Sequence, residues 1–182
     1  MLTEGKAIPK RYKQIPYHIV FDVKFDLRCK ARLVADGIWM DVNREDTYSG
    51  VVGMDTMKLG FTLGDLNDFK RCAGDVENAF LNGYTKKKIY IVAGPEFVPA
   101  LAGRVLIIVR SLHGLRTSAT RFHEHLTDNL RKLGFHPSKA DPNLFYKDIR
   151  VIMSIWPLMW MIPWFGLGIP CAPWTCLWPS IP

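Results

Sequence analysis

Apolar and polar positions alternate through part of Tyr17 to Phe25 (Tyr-His-Ile-Val-Phe-Asp-Val-Lys-Phe), which predicts a β-strand. Asp26-Leu27-Arg28 supplies a turn, and Cys29 to Ala35 reads as the return strand of a hairpin. A different period governs Met57, Leu59, Leu63 and Leu66, a partial stripe at helical spacing that Asp55 can cap. Gly60 and Gly64 weaken that helix, by about 1 kcal/mol each against alanine. The second helical stripe is better formed. Ser118 caps it, Phe122, Leu126, Leu130 and Leu133 share one face, and Gly134 stops it. Short strands are predicted at Ile89 to Val92, at Val105 to Val109 and at Asn143 to Lys147, with Gly94-Pro95 ending the first and Ser111 to Leu115 turning after the second. Two helices among short strands predict an α+β fold with an antiparallel sheet and packed helices.

One stretch organises the rest. Cys72-Ala73 leads into a single carboxylate, Asp75; Ala79-Phe80 follows, and Asn82-Gly83 closes the segment. It reads as a strand end that delivers an acid to a cleft, then a tight turn. Alone, an aspartate at a strand end is most often a surface cap.

Composition changes the picture at one place. The chain has 182 residues, one domain's worth, with a net charge of +7. That balance favours an anionic partner, nucleic acid being the commonest, although a basic surface is often only solvated. Every charged residue lies within 1–150. Residues 151–182 carry none, yet hold five of the six tryptophans and six of the twelve prolines. The expected division is therefore a domain over 1–150 and an apolar tail of low order over 151–182. An uncharged stretch of more than about 18 residues is long enough for a bilayer. Pro157, Pro163, Pro170, Pro173 and Pro179 argue against a membrane helix, since an interior proline costs a helix about 3 kcal/mol. No membrane association is expected. The N-terminus has no apolar core of a signal peptide. Cys29, Cys72, Cys171 and Cys176 make no CxxC pair, so neither a zinc site nor a disulfide framework is readable.

Candidate chemistry is sparse. Lys30 and Arg32 fall on one strand face, two apart. They suit a triphosphate grip, and equally a solvated edge strand kept from aggregating by its charges. His123-Glu124-His125 has i,i+2 spacing, so the two histidines point to different sides of a helix and read as surface residues. Neither a P-loop nor GxGxxG is present.

Six collinear segments, within residues 8–148, settle what the residues alone leave open. Asp75-Val76 followed by Ala79-Phe80-Leu81-Asn82-Gly83 resembles the first catalytic motif of copia-type retrotransposon reverse transcriptases. Lys30 to Ala35 with Gly37 is similar to the family's fingers motif, and Glu45 to Val52 resembles Asp-Glu-Thr-Phe-Ser-Pro-Val-Val. Lys88-Ile89-Tyr90 with Gly94 to Phe97 resembles the segment after the first catalytic motif. Ser111-Leu112-His113-Gly114-Leu115-Arg116 is similar to Ser-Leu-Tyr-Gly-Leu-Lys. Leu133-Gly134-Phe135, Ser138 to Pro142 and Leu144-Phe145 complete the series.

The resemblance implies a partial right-hand polymerase, with fingers and an incomplete palm. Two magnesium ions held by three aspartates would stabilise the attacking and leaving oxygens. By that likeness Asp75 is the catalytic acid and first metal ligand, assisted by the Val76 carbonyl. Phe80 matches the aromatic that lies under the sugar, and Lys30 and Arg32 match the cations near the triphosphate. Gly114 and Arg116 begin the template- and nucleotide-facing turn. RNA or DNA primer–template and a deoxynucleoside triphosphate are the implied partners, in cytoplasm or nucleus. Where the family often has Lys-Gln-Ala-Pro, this chain has Arg116-Thr117-Ser118-Ala119, so the glutamine's contact is lost.

The family's other two aspartates stand in Tyr-Val-Asp-Asp, soon after the Ser-Lys-Ala-Asp-Pro segment. This chain has no Asp-Asp pair and no acid after Asp148. Codons explain the gap. Methionine and tryptophan have single codons, so Met159-Trp160-Met161-Ile162 is ATG-TGG-ATG-ATN. Read one base earlier, the same bases spell Val-Asp-Asp with no freedom. With permitted codons, Ile152 to Leu167 reads Tyr-Glu-Tyr-Met-Ala-Thr-Tyr-Val-Asp-Asp-Thr-Leu-Val-Trp-Ser, similar to the second catalytic motif. The expected product is a catalytically dead copy whose frame slips near Asp148–Ile152, leaving the strand that bears Asp75 with part of its edge unpaired. The alternatives are a non-catalytic nucleic-acid-binding remnant and a membrane-tail or interaction protein.

The DNA tests the frame directly. Bases around codons 146–170 should spell Tyr-Val-Asp-Asp one base out of frame, with an insertion or deletion just upstream. A sequence without either contradicts the frame slip.

Overall fold

The computed structural model describes residues 8, 10–25, 27–42, 47–68, 76–149 and 152–157. In chain order these form β1 (Lys13–Gln14), β2 (Tyr17–Val23), β3 (Cys29–Ala35), a 3-10 turn (Gly37–Trp39), α1 (Met54–Leu66), α2 (Ala79–Asn82), β4 (Ile89–Val92), β5 (Val105–Ile107), α3 (Ser118–Lys132), β6 (His136–Pro137), β7 (Leu144–Ile149) and β8 (Ile152–Pro157). The fold is α+β, as the pattern predicts. The strand expected to end on Asp75 lies outside the described residues.

The chain forms two compact units, one of residues 1–49 and 78–126, the other of 50–77 and 127–182. In the first, β2 and β3 pair antiparallel from Tyr17↔Ala35 to Val23↔Cys29. β4 is the centre of a separate sheet, antiparallel to β5 and parallel to β1. The parallel pair corrects the expectation of a purely antiparallel sheet. A two-residue strand carries no periodicity of its own, so β1 forms because Lys13 and Ile15 N–H groups reach the Lys88 and Tyr90 carbonyls at 3.0 Å. The core beneath is Ile15, Ala35, Met40, Ile89, Ile91, Ile108 and Leu115, all buried. Tyr17 packs edge-on to Phe97 with centroids 5.7 Å apart, and its hydroxyl accepts from Gly94 N–H at 2.7 Å.

Two backbones cross in this unit with almost nothing between them. Ala35 N–H donates to the His113 carbonyl at 2.8 Å, and Val34 bridges His113. Gly114 has φ +86°, and a Cβ there would collide with the Ala35 carbonyl oxygen. A Cβ on Gly37 would collide with the Gly114 carbonyl from the other side. Only glycine permits both the left-handed conformation and the close approach.

In the second unit, β7 pairs antiparallel with β6 and, from Leu144↔Pro157 to Ile149↔Ile152, with β8. The division expected at residue 151 thus falls inside a hairpin, and residues 152–157 continue it as a strand. Ile152, Ile155 and Trp156 are good strand formers, and β7 offers them a backbone edge. Residues 158–182 lie outside the described residues. No helix among the described residues is long and apolar enough to cross a membrane.

α3 stops where its sequence predicts, but Ser118 is its first residue and makes no cap. Ser118 Oγ donates to the Leu112 carbonyl at 2.6 Å. At the other end Phe135 N–H bonds the Leu130 carbonyl and Gly134 N–H the Arg131 carbonyl, each at 2.9 Å, with Gly134 at φ +83°. That bond pair is a Schellman stop, and buried Leu130 and Phe135 form its apolar seam.

Asp55 does not cap α1; it lies in the first turn, and Gly53 is the N-cap. The acceptor comes from far along the chain. Asp141 takes Gly53 N–H at 2.8 Å on Oδ2 and Asn143 N–H at 2.9 Å on Oδ1, while Asn143 Nδ2 donates to the Val51 carbonyl at 3.1 Å. Burial alone would raise the Asp141 pKa, but the bonds from Gly53, Asn143 and Thr56 outweigh it and hold the carboxyl below its ordinary range.

Two outcomes follow from these contacts. Asp141→Ala should lower stability by about 1–3 kcal/mol, because Gly53 N–H loses a buried partner. Since the folded pKa is depressed, wild-type stability from this group is full above the ordinary value of 3.8 and fades as pH falls below it; Asp141→Asn should flatten that acid limb in urea titrations. Gly114→Ala should also destabilise by about 1–3 kcal/mol or more from backbone strain alone, read as a drop in the thermal midpoint.

Candidate nucleotide-binding site

The crossing of β3 with residues 111–116 gathers four of the side chains that matter. β3 runs past the loop with Lys30 and Arg32 on one face, both half-buried. Across the hairpin Lys30 pairs with Asp22, and the Arg32 guanidinium lies 3.7 Å from the Asp22 carboxylate. Asp22 is more than half exposed, so this ion pair is weak and easily exchanged for another anion.

Phe80 arrives from a short helix. Asn78 adopts a left-handed conformation, φ 49°, and its carbonyl accepts Leu81 N–H at 2.8 Å, which starts α2. Asparagine tolerates that conformation because its short side chain can hydrogen-bond locally. Gly83 then donates to the Phe80 carbonyl at 3.0 Å and accepts from Ser111 N–H at 2.8 Å. Arg110 reinforces the junction: Nη1 donates to the Leu81 carbonyl at 3.1 Å, and the guanidinium lies 4.5 Å above the Tyr84 ring.

These ties set the Phe80 ring edge-on to His113, with centroids 5.0 Å apart at 73°. His113 is half-buried, and burial pulls its pKa below the usual histidine value. The charges on Arg32 and then Lys30 push it further down. The imidazole therefore feels both cations, with an aromatic ring beside it. Such a constellation suits a polyanion joined to a flat or ring-shaped group.

The remaining expected residues are placed as follows. Gly114 is in the same loop, exposed, at the crossing already described. Arg116 is exposed on the loop's far end, and Val76 is half-buried just before α2. Asp75 lies outside the described residues. Among the described residues no group of three or more histidine, cysteine or acidic side chains could hold a metal ion. With no acid after Asp148, the donors described do not fit a two-metal centre. His113, whose ring packs against Phe80, is the neighbour that motif reading did not single out. Its signal was present: it stands where the resembling pattern has tyrosine.

Comparison with known proteins gives the family. Residues 6–157 match the family described as reverse transcriptase (RNA-dependent DNA polymerase). The chain is similar to the retrovirus-related Pol polyprotein from transposon TNT 1-94 of Nicotiana tabacum, 25% identical over 150 residues. That alignment covers 77% of this chain and 11% of the relative, so the chain spans a small part of that polyprotein. No solved structure matches. The chain belongs to the reverse transcriptase (RNA-dependent DNA polymerase) family.

Proposed function

We propose that this chain is the fingers and part of the palm of a copia-type, right-hand reverse transcriptase that keeps its nucleotide side and lacks its catalytic acid pair. One observation carries the reading: a single backbone crossing places Phe80 against His113 and brings the charges of Lys30 and Arg32 to the same imidazole. Lys30 and Arg32 take the triphosphate, and Phe80 lies under the sugar, where a bulky ring disfavours a 2′-hydroxyl. Gly114 and Arg116 face template and nucleotide. Asp75, with the Val76 carbonyl, would be the first ligand of a magnesium pair in an intact copy, whose other carboxylates stand in Tyr-Val-Asp-Asp and are absent from this chain.

Those carboxylates are encoded one base out of frame over Met159 to Ile162, immediately after the end of β8. With the frame slipping near Asp148–Ile152, residues 151–182 are an out-of-frame apolar tail that includes β8. Without the pair, two metal ions have no cage and polymerisation stops, while nucleic-acid binding through the cations persists.

Purified chain should extend no primer with Mg²⁺ or Mn²⁺. It should bind a fluorescent primer–template with an affinity that falls steeply with salt, the log–log slope steepening by about 0.9 for each phosphate neutralised. Template-dependent synthesis would refute the inactive reading. Binding indifferent to salt, or none, would refute the nucleic-acid reading.

A further inference from the structure

His113 adds a chemical property that tyrosine at the same place would not. Its ring lies against Phe80, its backbone is fixed to Val34 and Ala35, and its loop is held by the glycine crossing. The backbone at residue 113 is thus fixed beside β3, with the imidazole against the Phe80 ring. The charged groups on the elements around it are Lys30 and Arg32 of β3, Asp22 of β2, and Arg116 of its own loop; α2 contributes Phe80, which carries no charge. Of these, Lys30 and Arg32 act on the imidazole, and both repel a proton there.

We propose that His113 is an ionisable ligand of the nucleotide cleft, and that a deoxynucleoside triphosphate seated beside Lys30 and Arg32 is bound together with a proton taken up on its imidazole. This rests on the nucleotide reading given above. The proton balance is simple: one proton leaves the buffer and bonds to the free ring nitrogen, and no covalent bond to the nucleotide is made. Without a bound anion, partial burial and the charges of Arg32 and Lys30 disfavour a proton on the ring. A triphosphate brings several negative charges against the same cations, cancelling the repulsion and attracting the imidazolium. The ring nitrogen that accepted becomes a donor, a charge-assisted hydrogen bond to phosphate. Each unit by which the bound nucleotide raises the pKa of His113 multiplies affinity about tenfold as pH falls across the interval between free and bound values. The device makes triphosphate capture respond to pH over the range where histidine titrates.

Calorimetric titration of the full chain with dTTP, near neutral pH in two buffers of different ionisation enthalpy, tests this. Wild type should show buffer-dependent heats that correspond to net proton uptake. His113→Tyr should bind with smaller uptake, and its affinity relative to wild type should fall further between about pH 8 and about pH 6. His113→Gln, polar but unable to titrate there, gives the same answer should the tyrosine variant fold poorly. The nucleotide's own phosphate titration is common to all three proteins and cancels in the differences. Binding with equal proton uptake in wild type and both variants would overturn the proposal while leaving the nucleotide site standing. No dTTP binding by wild type would overturn both.

Discussion

Everything in the first unit depends on two strands of backbone passing at hydrogen-bond distance. Ala35 N–H meets the His113 carbonyl at 2.8 Å, and the adjacent surfaces are Gly37 and Gly114. Side chains at either glycine would force the segments apart, since the atoms opposite are backbone and cannot yield. The crossing ties the hairpin carrying Lys30 and Arg32 to the loop carrying His113. It also explains why Gly37 and Gly114, far apart in sequence, each sit in a recognisable motif: they are two halves of one contact.

The second unit uses the same economy with a different chemistry. Asp141, from the Ser-Lys-Ala-Asp-Pro segment, accepts the N–H of Gly53, the N-cap of α1, and Asn143 secures the Val51 carbonyl. A carboxylate at a helix N-terminus is favoured by the macrodipole as well as by the hydrogen bonds. Two motifs that look independent along the chain are again one device in space.

How much was legible in the sequence varies with the kind of signal. The hairpin over Tyr17–Ala35 and the glycine stop of α3 were readable, because alternation and a left-handed glycine act within a few residues, whereas the Ser118 cap was misread: its hydroxyl donates to the Leu112 carbonyl. The Asp55 cap was misread, since the true acceptor is 88 residues from Gly53 and no local rule reaches it. β1 went unseen because two residues hold no period; its partner supplies the order. β8 was unexpected for a related reason. Strand pairing asks for backbone groups and β-tolerant residues, and Ile152–Pro157 offers both whatever reading frame produced it. Of the site, Lys30, Arg32 and Phe80 were named from motif likeness, but the packing of Phe80 against His113 and the bridge from Val34 of β3 to His113 are tertiary contacts that no local pattern carries. Asp75 lies outside the described residues.

The account thus divides the ancestral site into a retained half and a displaced half. In the proposed reading, cations and aromatic are built on the crossing, and the acid pair is encoded out of frame in the apolar tail. The most direct test of the retained half is equilibrium binding of a fluorescent deoxynucleoside triphosphate to the full chain and to a Lys30→Ala/Arg32→Ala double variant of equal thermal midpoint. The account predicts that the double variant binds about tenfold or more weakly, given what hydrogen bonds to charged groups contribute. Equal affinity in the two proteins would contradict it.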